Sequence, residues 1–338
     1  MCIVNTLGIV KVAPCGTAPN SLQASAKFYA QRRVGIIMDI FLQILIDGLV
    51  IGAFYSLVAL GYTMVYGIIK LLNFAHGDLY MIGAFIGFTL LSFITGDGGF
   101  NTGVLGIGIV FIATMAIVGL LGMGIERIAY RPLLLAPRLS ILITAIGVSL
   151  SLEYTSMIGW GASYKVYPIK LPNDGLQFLG AQISFAQIGM IILSALLMIG
   201  LRLFIDKTIY GKAMRAIALD QTACSLMGVN VHRIIALTFF IGAFLAAGAG
   251  IMSGVYYGTI NFMMGFIIGL KAFTAAVLGG IGNITGAMLG GLVLGIIEAF
   301  GTFYLGGSWK DVLAFGILIL FLVFKPTGIL GAKEMERM

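Results

Sequence analysis

The most constraining feature of this sequence is a succession of nine apolar runs, most of them long enough to cross a bilayer. They lie at about 41–69, 79–95, 103–125, 139–160, 183–205, 233–257, 265–281, 284–305 and 311–324. A helix needs about 20 apolar residues to span the hydrocarbon core. The last run is short, and glycines interrupt 265–281. The sequence therefore predicts an all-α, polytopic transmembrane helical bundle of eight to ten membrane segments, some of them broken or re-entrant.

Composition supports the membrane class. Charged residues make up 10% of the 338 residues, against about 25% in soluble domains, and the mean hydropathy is +1.07. So few charges could not cover the surface of a soluble fold. The net charge of +7 is not read as nucleic-acid binding, because the basic residues cluster between apolar runs, as the positive-inside rule expects.

That clustering predicts the orientation. Eleven basic residues fall on one side: Arg127, Arg131, Arg138, Arg202, Lys207, Lys212, Arg215, Arg233, Lys325, Lys333 and Arg337. The alternate connections carry only Lys165, Lys170 and Lys310. The richer side is expected to be cytoplasmic, which places the protein in a cell's inner (plasma) membrane with a cytoplasmic tail at 331–338.

The transmembrane domain is expected to occupy residues 38–330, after an N-terminal extension at 1–37. The extension has no Asp or Glu and shows no convincing periodicity. Three interpretations stay open: an acid-poor targeting segment, a basic cytoplasmic tail, or a mis-annotated start with translation beginning at Met38.

Charged groups inside a membrane are costly, so each one marks a candidate site. The candidates are Asp47, His76, Asp78, Glu153, Lys271 and Glu298. Asp47 and Glu153 also suit satisfied polar or interfacial contacts. A Lys271–Glu298 pair is conceivable, although no spacing rule supports it.

The segment Asn73-Phe74-Ala75-His76-Gly77-Asp78 joins two apolar runs without an ordinary loop. Its polar groups need partners in protein or in a wet cavity, and transporters build sites from such breaks. A substrate pathway at Asn73, Phe74, His76, Gly77 and Asp78, with Glu298 nearby, is one interpretation. A tight cytoplasmic turn with Asp78 capping the next helix is the other.

Glycines recur in two places. Gly242, Ala246, Gly250, Gly254 and Gly258 form one smooth helix face, which favours close helix packing over a sliding surface. The stretch 279–286 is a second expected break, because glycine tolerates unusual backbone angles. Gly279, Gly280, Gly282 and Gly286 are candidate gating glycines.

The basic connection at 206–232 has helix-forming composition at 212–227 and a plausible stop at Gly228. Small and apolar residues such as Ala213, Ala216, Ala223 and Met227 can share one side. This helix suits docking into a groove of a partner protein, and the alternative is that it lies on the membrane surface.

Several chemistries lack their motifs. The sequence has no Gly-x-x-x-x-Gly-Lys-Ser/Thr loop, His-Glu-x-x-His or Gly-x-Ser-x-Gly. Its two histidines and three cysteines have no metal-ligand spacing. The chain is expected to be a transport subunit, with no enzyme activity, no metal and no cofactor of its own.

Three segments resemble the branched-chain amino acid ABC importer permeases of the LivH type. They are 48–61 with 65–69, then 73–78, and the glycine-rich stretch 275–287. The connection from Gly211 to Gly228 resembles the ATPase-coupling loop of ABC permeases, at Gly211, Arg215, Ala216, Asp220, Ala223 and Gly228. The resemblance covers about 39–330.

The resemblance implies a binding-protein-dependent importer of leucine, isoleucine and valine, or of other amino acids, amides or urea. It implies a second homologous permease, two cytoplasmic ABC ATPases that use ATP and Mg²⁺, and an external substrate-binding protein. The competing hypothesis is a secondary transporter or channel without an ATPase, driven by an ion gradient through Asp47, Asp78 or Glu298.

Overall fold

The structure is a computed structural model that describes residues 2–6, 9–13, 20–70, 72–96, 104–133, 136–169, 175–178, 181–325 and 327–331. Its α-helices are α1 (Asn20–Ile69), α2 (His76–Gly96), α3 (Val104–Ile125), α4 (Arg138–Trp160), α5 (Phe185–Lys207), α6 (Ile209–Leu219), α7 (Gln221–Leu226), α8 (Val231–Tyr257), α9 (Met264–Gly279), α10 (Ile284–Leu305) and α11 (Lys310–Phe324). A π-helical turn, Glu126–Tyr130, extends α3, and a 3-10 turn, Gly307–Trp309, precedes α11.

Among these residues, eight helical segments are long and apolar enough to cross a bilayer. They belong to α1, α2, α3, α4, α5, α8, α10 and α11. The ninth apolar helix, α9, has 16 residues, about 24 Å at 1.5 Å per residue, and so falls short of a 30 Å hydrocarbon core. The predicted helical membrane bundle is confirmed, with eight candidate spans within the predicted range of eight to ten and α9 as a shorter apolar helix.

The strands are short and lie in connections or near the N-terminus. Strand β1 (Cys2–Thr6) pairs with β2 (Ile9–Ala13), β3 (Lys165–Val166) with β6 (Thr259–Ile260), and β4 (Gly175–Phe178) with β5 (Ala181–Ser184), all antiparallel. Within the N-terminal extension, α1 begins at Asn20, well before its apolar span opens at Met38. The division at residues 37 and 38 and the origin of the extension stay predictions.

Helices α1 and α10 share the most extensive contact between helices in the described part of the chain, and small residues allow their close approach. A Cβ added to Gly52 would lie 2.8 Å from the Cα of Leu292, and one added to Gly48 2.8 Å from the Cα of Ile296. Ser56 Oγ donates to the carbonyl of Met288 at 2.7 Å. Rising numbers on α1 meet falling numbers on α10, so the two helices run antiparallel.

The bundle contains an inverted internal repeat. Helices α1–α4 correspond in order to α8–α11, and the contacts between the two sets are reciprocal. The second helix of each set packs against the first helix of the other, as α2 with α8 and α9 with α1. The third helix of each set does the same, as α3 with α8 and α10 with α1. The leading helices run in opposite directions, since Gly61 packs on Gly242 while Phe54 meets Tyr256 with ring centroids 5.9 Å apart. Transporters are often built from such inverted repeats.

The repeat extends to the connections. Six residues separate α1 from α2, and six separate α8 from α9. Each connection starts with a left-handed residue, Lys70 (φ 58°) or Gly258 (φ 69°). Asn-Phe follows in both, and the carbonyl of Asn73 accepts from the amide of His76 (3.1 Å) as that of Asn261 accepts from Met264 (3.2 Å).

The predicted break at 279–286 is present, but this correspondence shows that it is not the counterpart of the Asn73–Asp78 segment. The stretch 279–286 is a turn between α9 and α10, whereas the counterpart of Asn73–Gly77 is Asn261–Gly265. Both segments read Asn-Phe-x-x-Gly. Sequence analysis did not find this match, because the shared pattern is only three residues within five positions.

Candidate functional site

The Asn73–Asp78 segment lies deep in the bundle. The imidazole of His76 packs on Gly61 and Gly242 and edge-on to Tyr62, with centroids 4.9 Å apart. Asp78 accepts a hydrogen bond from Ser149, at the middle of α4. Helix α2 therefore begins near the centre of its neighbours, and the stretch before it is non-helical backbone enclosed by protein, as a bilayer interior requires.

The segment's polar groups are almost completely buried. Asn73, His76 and Asp78 are each 3% exposed or less, and the Tyr130 hydroxyl donates to Asn73 Oδ1 at 2.5 Å. Asp78 lies in the first turn of α2, where a negative charge interacts favourably with the positive end of the helix dipole. Gly77 fits closely, because a Cβ there would lie 2.6 Å from the Cα of Gly269. Contact of this segment with substrate stays a prediction.

Glu298 belongs to a second buried polar group. Lys271 Nζ lies 2.8 Å from Glu298 Oε1 and 2.7 Å from Asp311 Oδ1. The Tyr55 hydroxyl donates to Glu298 Oε2 at 2.9 Å. The pair considered from sequence is present, and Asp311 is the member that sequence reasoning missed. The group joins α1, α9, α10 and α11.

The candidate gating glycines form a tight turn. Gly280 (φ 104°) and Gly282 (φ 93°) have backbone angles that side chains rarely adopt, and the backbones of Gly279 and Gly286 leave no room for a Cβ. The amides of Ile329 and Leu330 donate to the carbonyls of Leu278 (2.8 Å) and Gly279 (3.1 Å). In this conformation the glycines provide close packing, and their gating role stays a prediction.

The 206–232 connection contains two short helices instead of the single one expected at 212–227. Asp220 is extended (φ −155°, ψ 108°) and separates α6 from α7. Its side chain accepts from the amide of Ala223 at 3.0 Å, since aspartate favours N-caps over helix interiors. The expected stop at Gly228 is confirmed by its φ of 82°.

The faces of these helices differ partly from expectation. Gly211, Met214 and Ile217 are buried, whereas Ala216 and Ala223 are exposed. Arg215 donates to the carbonyl of Ile205 at 2.5 Å and lies 3.4 Å from Asp206. Large apolar side chains remain exposed at Leu219 (78%), Leu226 (83%) and Met227 (85%).

Two cavities lie at opposite ends of α5. The one on the side predicted to be external has a volume of about 570 Å³ and lies between α1, α5, α8 and the β4–β5 hairpin. Its wall includes Gln43, Gln182, Gln187, Met190 and Tyr256. It is therefore rich in neutral polar groups with an apolar patch beside them.

The cavity on the predicted cytoplasmic side has a volume of about 820 Å³. Its lining groups come from the end of α1, the end of α5, α6 and the α9–α10 turn, and they include Lys70, Arg202, Asp206, Arg215 and Asn283. A further cavity of about 210 Å³ adjoins it around Met214. The external and the cytoplasmic cavity each adjoin a connection of the repeat. Gly258 lines the external cavity, and Lys70 lines the cytoplasmic one.

The buried face of α5 connects the two cavities. It consists of Met190, Ser194, Met198, Leu201 and Ile205, one stripe at helical spacing. Met190 lines the external cavity and Ile205 the cytoplasmic one. Ile205 lies 15 positions after Met190, which corresponds to about 22 Å of helix. The stripe is apolar apart from one serine, which suits passage of an aliphatic group.

Comparison with known proteins decides the family. Residues 44–322 match the model of the family described as "Branched-chain amino acid transport system / permease component". The chain belongs to this family. Its candidate spans make the permease a multi-pass membrane protein.

Relatives of the permease cover nearly its whole apolar region. It is 48% identical over 301 residues to the high-affinity branched-chain amino acid transport system permease protein BraD of Pseudomonas aeruginosa, covering 88% of this chain and 98% of BraD. The corresponding LivH of Escherichia coli is 44% identical over 301 residues, with 88% and 97% coverage. LivM of Escherichia coli is 24% identical over 302 residues, with 82% and 67% coverage.

Sequence reasoning did not find the two cavities or the α5 stripe. The spacing of Met190, Ser194, Met198, Leu201 and Ile205 was visible. The spacing did not identify a buried face, because apolar residues occupy the other faces of α5 as well. Their burial, with Leu196 and Ile199 more than half exposed, is what separates the stripe from the rest of the helix.

Proposed function

We propose that this permease is the translocation subunit of an ATP-driven importer that moves branched-chain amino acids across the inner (plasma) membrane. The observation that carries the proposal is near full-length similarity to BraD and LivH, both named as high-affinity branched-chain amino acid transport permeases. The two cavities joined by an apolar stripe support it, because an aliphatic side chain matches such a surface.

Substrate would enter at the external cavity, pass along the α5 stripe and leave through the cytoplasmic cavity. The stripe is buried against neighbouring helices, so transit needs α5 to move relative to α1. The break at Asn73–Asp78 and the turn at Gly279–Gly286 are where such movement would be absorbed, because non-helical backbone and glycine tolerate changes of dihedral angle. Glu298 would hold α10 to α9 during the movement.

The partners follow from the family. LivM, a second and more distant relative, is the model for a second permease subunit beside this one. Two cytoplasmic ABC ATPases would hydrolyse ATP with Mg²⁺, and an external binding protein would deliver the substrate. On this proposal the permease itself binds neither ATP nor metal, acts as no enzyme and contacts no nucleic acid.

The α6–α7 pair is the proposed contact with an ATPase. Leu219, Leu226 and Met227 are exposed between two membrane spans, and exposed apolar side chains favour docking into a groove. Asp220 and Arg215 hold the two helices in place through the contacts described above. Movement of the ATPases would reach α5 directly, because α6 follows α5 after one residue.

Uptake of labelled leucine by cells lacking the chromosomal gene, with and without a plasmid copy, tests the proposal. We expect the copy to restore uptake, and excess isoleucine or valine to compete where urea and amides do not. Uptake should survive a protonophore while glycolysis supplies ATP and stop when arsenate depletes ATP. Uptake abolished by the protonophore at normal ATP would support a secondary transporter instead.

A further inference from the structure

One acidic residue beside the external cavity, Asp47, lacks a cationic partner of the kind that Glu126, Asp206 and Glu298 have. Glu126 pairs with Arg131, Asp206 with Arg202 and Arg215, and Glu298 with Lys271. Asp47, on α1, forms no salt bridge within the part of the chain that the structure describes. Its negative charge is therefore available to a cation from outside the chain.

Neutral groups of the cavity wall hold Asp47 instead. The Gln187 side-chain amide donates to Asp47 Oδ1 at 2.7 Å, and the Tyr256 hydroxyl donates to the same oxygen at 3.4 Å. Gln43 also hydrogen-bonds to the carboxylate. All three of these side chains line the external cavity, so Asp47 lies one side chain behind its surface.

This arrangement favours a cation in the cavity. Each of the three groups directs a donor to Asp47, and Gln187 also hydrogen-bonds to Tyr256. No lysine, arginine, aspartate or glutamate is among the described residues that line the cavity. The charge of Asp47 is therefore opposed by no lining cation, and Coulomb attraction at this range is strong in a partly buried site.

The rest of the wall suits the other parts of an amino acid. Ile169, Ile183, Met190 and Val255 form an apolar surface that an aliphatic side chain can cover. Gln182, on β5, offers amide donors to a carboxylate. A volume of about 570 Å³ is in the range of small-molecule sites.

We propose that the external cavity is an entry subsite for a zwitterionic aliphatic amino acid, whose α-ammonium group is attracted by the negative charge of Asp47 behind Gln43, Gln187 and Tyr256. The inference rests on the proposed function and adds a recognition element to it. Asp47 acts on substrate charge, so molecules with the same carbon skeleton but no ammonium group are excluded from the site.

The test is saturation-transfer NMR on the purified full-length permease in nanodiscs, with L-leucine and 4-methylpentanoate as probes. The two probes share the aliphatic chain and the carboxylate, and only leucine carries an ammonium group. We expect leucine to bind and 4-methylpentanoate not to bind. Asp47→Asn should weaken leucine binding at least about tenfold, since it removes the charge and keeps the shape.

Asp39→Asn is the matched control, because it removes the same charge from the same helix without touching the cavity wall. Asp47→Glu retains the charge and should retain part of the binding, which separates loss of charge from loss of fold. Equal binding by wild type and Asp47→Asn, equal binding of both probes, or no leucine binding by wild type would each overturn the subsite.

Leucine uptake by cells tests the proposed function separately from the subsite. If the subsite is wrong and the importer is right, Asp47→Asn cells take up leucine at the wild-type rate. If the importer is wrong, cells with the wild-type permease show no ATP-dependent leucine uptake at all.

Discussion

Lys271 Nζ lies between two carboxylates of different helices, 2.8 Å from Glu298 Oε1 and 2.7 Å from Asp311 Oδ1. Lys271 is 2% exposed, and Glu298 is 6% exposed. The ammonium therefore offsets the repulsion between two acids that hold α10 and α11 to α9. It also links α11 to the rest of the bundle through Asp311. This link matters because α11 has little other burial, with only 6% of its apolar window buried.

Replacing Lys271 with methionine should destabilise the permease by about 3–5 kcal/mol, because it leaves buried charge without a partner. Thermal unfolding of the detergent-solubilised protein measures the effect. The triple variant Lys271→Met with Glu298→Gln and Asp311→Asn removes all three charges and should recover part of the loss. An unchanged Tm for Lys271→Met would show that the ion pair does not hold these helices together.

Close packing of α1 on α10 predicts a different sensitivity for two glycines. A Cβ at Gly295 would overlap the backbone of Gly52, whereas one at Gly147 meets nothing within 4 Å. Gly295→Ala should cost about 1–3 kcal/mol. Gly147→Ala should be neutral or stabilising by up to about 1 kcal/mol, because alanine favours helix. Thermal stability of the two variants, compared with wild type, provides the measurement, and equal Tm values would contradict the packing.

The two left-handed residues of the repeat should respond in opposite directions. Gly258→Ala places a Cβ where nothing lies within 4 Å, so its cost is backbone strain of about 1–2 kcal/mol. Lys70→Gly relieves the same backbone strain at φ 58°. Glycine also adds conformational freedom to the unfolded chain, which offsets part of this gain. The variant should still be more stable than the wild type. Gly189→Ala, in α5 with open space, is the control. Two shifts of the same sign would argue against equivalent connections.

The exposed apolar residues of α7 should matter for coupling and little for folding. Leu226→Ser with Met227→Ser changes side chains that are 83% and 85% exposed. We expect the permease to remain in the membrane at normal abundance while ATP-dependent uptake falls at least about fivefold, as expected when contact residues are lost. Thr222→Ala, a polar position of the same helix, is the control. Normal uptake by the double variant would exclude α7 as the ATPase contact.

Much of the fold could be predicted because the bilayer simplifies the problem. Length and apolarity alone located the eight candidate spans and the shorter apolar helix α9, whose glycines already set it apart. The connection at 206–232 was harder, since the composition of 212–227 favoured one continuous helix. The single extended residue that divides it, Asp220, depends on a side-chain cap to the amide of Ala223, which competes with continuing the helix.

The candidate site was harder still. Intramembrane charge pointed to Asp78, Lys271 and Glu298, and all are buried in contacts between helices. Asp47 carried the same signal at sequence level, and nothing in its neighbourhood showed that its partners line the external cavity. Partners 140 and 209 residues away, Gln187 and Tyr256, come together only through the three-dimensional packing of α1, α5 and α8.

The central claim, a permease that works within an ATP-driven importer, is tested most directly by affinity purification of the tagged chain from solubilised membranes. Mass spectrometry of the eluate is followed by reconstitution into proteoliposomes. We predict co-purification of a second apolar permease and ABC ATPases, and leucine uptake that requires ATP and an added binding protein. Purification of this chain alone, with leucine uptake in proteoliposomes that lack ATP, would contradict the account.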